Sequence, residues 1–89
     1  MNQQEFLQKA EELGYSQPEM LEFDPNHSGG DMHDHEFSAI AMVTEGVFTM
    51  KYEDGEVAYK AGDWCEVPAG TMHTEQTGAE GAKLLFGKK

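Results

Sequence analysis

What most constrains this chain is an alternation of apolar and polar residues running, with few breaks, from Phe37 to Phe86. Phe37, Ala39, Ala41 and Val43 share one parity, and Phe48, Met50 and Tyr52 alternate with Thr49 and Lys51. Successive side chains of a strand point to opposite faces, so this spacing predicts half-buried β-strands. Turn signals cut the pattern at short intervals. Glu45-Gly46 closes the first strand, Asp54-Gly55 marks a two-residue hairpin returning through Val57 and Tyr59, and Ala61-Gly62-Asp63 turns the chain again. Trp64 to Val67 reads as a strand ended by Pro68-Ala69-Gly70. Met72 to Thr77 follows, then a turn at Gly78 to Gly81 and a last strand, Ala82 to Phe86. Short strands with turns this frequent predict an all-β antiparallel barrel or sandwich.

Ahead of the alternation, Asn2 caps a short helix over Gln3 to Leu13, with Glu5 placed for a capping box and Phe6, Ala10 and Leu13 on one stripe. Gly14 stops it. Met20 to Phe23 reads as a strand, Asp24-Pro25-Asn26 as a turn, and Asn26 to Asp31 as a loop. The organisation expected is a helix and linker over residues 1–17, packed outside a barrel of residues 18–89.

Leu, Ile, Val and Phe supply only 15 of 89 residues, a proportion typical of disordered chains. The regular alternation, six Met and nine aromatics outweigh it. The core is modest, which favours reinforcement by a metal or a second subunit, here a homodimer with Phe6, Leu13 and Trp64 as contact surface. Charge excludes other partners. Seventeen acidic residues face six lysines and no arginine, a net charge of −11. That argues against nucleic acid and against an anionic membrane surface, and it rules out a bidentate arginine clamp on a carboxylate or phosphate. The start, Met1 to Glu5, has neither the basic region nor the apolar run of a signal peptide, so a cytoplasmic location is expected. A single cysteine, Cys65, permits no internal disulfide.

The chemistry centres on histidine. His33 and His35 lie two apart in an expected strand, on the face continued by Phe37 and Ala39, and His73 lies in another strand just after the Pro-x-Gly turn. Imidazoles on an interior face are costly unless solvated, hydrogen-bonded or bound to a metal. Three of them from two strands could occupy one face of a metal ion and leave positions open for water or substrate. The plainer alternative is a set of solvated histidines at strand ends.

The frame around them resembles the two motifs of the cupin family. His33, His35 and Gly46 fall in register with the first, and Gly62, Pro68, Gly70 and His73 match the second. Two motifs in order, over Met20 to Phe86, imply a cupin-type β-barrel or jelly roll. The resemblance departs at two positions: Ala39 stands where the family's metal-binding glutamate is expected, and Thr77 stands where the second motif ends in Asn. Glu36 has the wrong parity to substitute, whereas Glu75 shares a face with His73 and is within reach of the cavity. The implied site is three histidines, His33, His35 and His73, holding a divalent transition metal (Fe, Mn, Ni or Zn). In ligand set it is similar to three-histidine dioxygenases, whose ferrous ion keeps its full positive charge to attract an anionic substrate or dioxygen.

Other residues have simpler readings. Cys65 points inward as a small core residue, Trp64 packs, and His27 is a solvated loop residue. Met32, Met42, Met50 and Met72 line the cavity or fill gaps in the core. Three functions follow: a metal-dependent enzyme, dioxygenase-like or isomerase-like, on a small organic substrate; a non-catalytic metal- or ligand-binding sensor module; or a structural cupin.

Overall fold

The computed structural model describes residues 1–89. Helix α1 spans Gln3–Glu12 and opens on the expected capping box. The Glu5 N–H donates to Asn2 Oδ1 (2.8 Å) and the Asn2 N–H to Glu5 Oε1 (3.1 Å), which satisfies amides that a helix start leaves without partners. Leu13 caps its end and Gly14 follows at φ +84°. It is too short to cross a membrane, and no other helix is present that could.

Five strands follow: β1 (Glu19–Phe23), β2 (Ala39–Tyr52), β3 (Gly55–Lys60), β4 (Trp64–Val67) and β5 (His73–Lys88). All pair antiparallel within one hydrogen-bonded sheet of order β1-β5-β2-β3, with β4 beside the first half of β2. The sequence reading ended a strand at Gly46 and placed a turn at Gly78 to Gly81; instead β2 and β5 run through both points. Their register slips between Val43 and Glu45 and again between Gly46 and Phe48. Bulges, not turns, occupy these positions. The extra residue at the first slip, Thr44, shifts the inward parity of β2 by one, so Val43 and Phe48 share one core cluster although five apart. A turn and a bulge both call on glycine at positive φ, so the two look alike in sequence.

That bend is tight. Gly46 and Gly81 have φ of +76° and +69°. A Cβ on Gly46 would overlap the Gly81 carbonyl oxygen, and one on Gly81 would stand 2.5 Å from the Phe23 carbonyl oxygen. Gly46→Ala is therefore expected to cost at least the 1–2 kcal/mol of a left-handed alanine, roughly, plus the overlap. Urea denaturation checks this; an unchanged midpoint would contradict the crossing.

Apolar burial falls on both faces of the bent sheet. The inner cluster holds Val43, Phe48, Met50, Ala82 and Leu84. The outer one joins Phe6, Ala10 and Tyr15 to Ile40, Met42 and Leu85, with Leu13 and Trp64 partly buried against it. The helix thus packs outside the barrel as expected, and Trp64 packs beneath it. Phe6 corrects one expectation: it is fully buried in its own chain and offers no subunit contact. Exposed apolar side chains include Leu7 of α1, Met20 and Leu21 of β1, Val47 of β2 and Val57 of β3, and Met20 is the most exposed of them.

Candidate metal centre

Backbone hydrogen bonds bring the histidines together. His33 and His73 exchange both N–H to carbonyl bonds at 2.9 Å, an isolated antiparallel bridge that puts the two residues directly opposite. The strand expected through His33 and His35 is reduced to this single bridge, and the chain from Asp34 to Ser38 is irregular, with a bend at Glu36 and Phe37. His35 is held differently. Its carbonyl accepts the Gly70 N–H (2.9 Å), and the Ala69 N–H donates to Ser38 Oγ (3.1 Å). The Pro68-Ala69-Gly70 turn therefore aims His73 and also anchors the loop that carries His35.

The side chains converge. Ring centroids lie 5.0 Å apart for His33 and His35, 4.7 Å for His33 and His73, and 5.4 Å for His35 and His73. A carboxylate joins them: ligand atoms of His33, His35, His73 and Glu75 all lie within 4.8 Å of one another. Glu75 Oε1 is 3.2 Å from His73 Nε2 and 3.6 Å from His33 Nε2. Ala39 offers no ligand, and the carboxylate of the group comes from β5. Glu36 stays outside the group, and so does His27, whose ring packs edge-on against Phe23.

The protons can be assigned at His73. Its Nδ1 lies 2.8 Å from the Thr71 carbonyl oxygen, so Nδ1 carries the hydrogen and donates it. Nε2 of the neutral ring is then a bare lone pair facing a carboxylate oxygen. Two acceptors at 3.2 Å repel unless a cation lies between them, either a proton or a metal ion. A ring fixed through Nδ1 with Nε2 presented inward is the arrangement that metal-ligating histidines use. His33 repeats it more loosely, with Nδ1 3.4 Å from the Asp31 carbonyl oxygen. Sequence reading missed Thr71 and Asp31 because they act through backbone carbonyls, which every residue has. It also gave Thr77 no role. The Thr77 hydroxyl donates to the Asp24 carbonyl (2.6 Å) and accepts the His27 N–H (2.9 Å), tying the loop before His33 to β5.

Beside this group lies a cavity of about 210 Å³, with His35, His73 and Glu75 on one side and Phe37, Phe48, Leu84 and Phe86 among its walls. Met50 lines it, Met42 belongs to the outer cluster, and Met32 and Met72 are exposed. Cys65 lines it too. Burial pushes the Cys65 thiol up to about 11, and the Glu66 charge adds to this while a hydrogen bond with Tyr59 opposes it. Burial likewise raises Tyr15 to about 12, reinforced by its hydrogen bond to Glu66. Both groups hold their protons more tightly folded than unfolded. Their contribution is therefore complete below about pH 9 and is lost as pH climbs through 11 to 12. Iodoacetamide at pH 8 is expected to leave Cys65 unmodified until the chain is denatured; alkylation of the folded protein would contradict it.

A family model of the cupin domain matches residues 19–86. The chain belongs to the cupin family. Solved structures agree on the fold. A protein of unknown function from Rhizobium leguminosarum superposes with a TM-score of 0.70 at 18% identity, covering 81% of this chain and 69% of that one. KdgF from Halomonas sp. gives 0.64 at 24% identity, over 78% and 65%. A tryptophan-to-tyrosine variant of oxalate decarboxylase from Bacillus subtilis gives 0.64 at 24%, over 79% and 20%. This cupin thus spans about two thirds of the first two proteins and a fifth of the third. No curated protein matches it in sequence.

Proposed function

We propose that this cupin binds one divalent transition metal through His33, His35 and His73, with Glu75 as a fourth protein donor, and holds a small organic molecule beside it. The observation that carries the reading is the convergence of ligand atoms from His33, His35, His73 and Glu75 within 4.8 Å of one another, with the His73 ring already fixed through Nδ1. Imidazole and carboxylate donors together suit Fe, Mn, Ni and Zn. Such a metal supplies Lewis-acid polarisation or redox chemistry when bound. The chain's own residues do the rest. Thr71 orients His73, the Pro68 to Gly70 turn holds His35 in place, and Glu75 faces both the ligand group and the cavity, where its carboxylate can take up or return a proton. That placement favours a metal-dependent enzyme on a small organic substrate over a non-catalytic sensor.

Elemental analysis of untagged protein, purified without chelator, tests the reading. About one metal equivalent per chain is expected. Failure to bind Fe²⁺, Mn²⁺, Ni²⁺ or Zn²⁺ on reconstitution at neutral pH would overturn it. We also propose that two copies pair along the free edge of β1, where Met20 and Leu21 are exposed; a strict monomer by sedimentation would refute this.

A further inference from the structure

We infer that the cavity takes a neutral, largely apolar molecule, aromatic or branched, with a single hydroxyl or carbonyl oxygen directed to the histidine group. This rests on the metal reading only for where that oxygen points. Eleven of the sixteen lining residues are hydrophobic. At about 210 Å³ the space exceeds the roughly 150 Å³ of an apolar cavity that holds benzene, so a ring with a short substituent fits. Ala39 and Ala41 of β2 both line it, and larger side chains there would fill it.

Charge decides against an anion. No lysine lines the cavity, and the chain has no arginine to offer. Lys88 stands over the Phe37 ring, 5.1 Å from its centroid, without lining the space. The one carboxylate that lines it is Glu75. In the metal-free cavity a substrate carboxylate would be stripped of water among phenylalanines, with a like charge beside it and no side-chain cation to pair with. The net charge of −11 works in the same direction. The double positive charge that draws an anion to a site of neutral histidines alone is halved once Glu75 joins the group.

The test is an NMR titration of the full chain, metal-free and zinc-loaded, with benzyl alcohol, acetophenone and benzoate. The neutral probes are expected to shift resonances of Phe48, Leu84 and Phe86 in both forms, and in the metal-free form to bind at least tenfold more tightly than benzoate. Zinc should tighten the alcohol further. Ala41→Leu is expected to abolish alcohol binding while zinc uptake, read by chelator competition, persists. If that variant does not fold, the smaller Ala39→Val should weaken the alcohol several-fold. Benzoate binding the metal-free form as tightly as the alcohol, or shifts confined to residues outside the cavity, would overturn the inference. Absence of zinc uptake with intact alcohol binding would refute the metal centre and uphold the cavity assignment.

Discussion

Phe6→Ala is expected to cost about 3–5 kcal/mol, the range for truncating a fully buried aromatic, against a total stability of roughly 5–15 kcal/mol for a domain of this kind. Phe6 is 0% exposed and is one of the three largest fully buried side chains, with Ile40 and Leu84. It joins α1 to the outer face of β2, where Ile40 and Met42 would otherwise meet water. A helix of ten residues does not hold its shape alone, so the loss of this anchor releases the whole element. The polar ties that remain include the Met1 ammonium to the Gly62 carbonyl, Tyr15 to Glu66 and the Lys89 ammonium to the Leu13 carbonyl, each worth roughly 1–3 kcal/mol at most. At an m-value of about 1–3 kcal/mol/M the urea midpoint should fall by at least about 1 M. A shift well below that would mean the outer cluster matters little and the barrel stands without its helix.

The helix was legible because it depends on local rules, although its Phe6 was read as a subunit contact and is buried in its own chain. Asn2, Glu5 and Gly14 mark the helix by capping chemistry that needs no tertiary information, and the spacing of Phe6, Ala10 and Leu13 gives its buried stripe. The strands were legible for the same reason, through period-two alternation. What alternation cannot show is continuity. Gly46 and Gly78 to Gly81 read as strand ends, yet backbone crossing at Gly46 and Gly81 keeps β2 and β5 running past them. The same limit governs the site. The histidines were legible from spacing and a motif frame, whereas their orientation rests on the Thr71 and Asp31 carbonyls, which no residue type announces. Glu75 lies between these cases. Its parity put it on the face of His73, but only the His33–His73 bridge brings its carboxylate to two rings at once.

That geometry makes the double replacement His33→Ala/His35→Ala the sharpest test of function, and it is expected to weaken metal binding by at least about a thousand-fold. The scale follows from a comparison. Losing an outer partner of a metal ligand costs roughly 10–100-fold, and here two direct donors are removed. His73 is a less clean target because it is buried at 3% exposure, so its loss would disturb packing and ligation together. The His33 side chain is 36% exposed, and its bridge to His73 is made by backbone atoms that alanine retains. The double variant should therefore fold with an unchanged circular dichroism spectrum, giving up mainly the stacking of His35 on Phe37. His27→Ala serves as the control, since His27 packs on Phe23 outside the group, and it should leave affinity untouched. In the parent protein, protons compete with the metal for the same nitrogens, so affinity should fall as pH is lowered from neutrality, and the double variant should lose much of that dependence. Metal retention that is unchanged in the double variant, at any pH, would leave Glu75 and His73 as a buried hydrogen-bonded pair and remove the basis for a metal centre in this barrel.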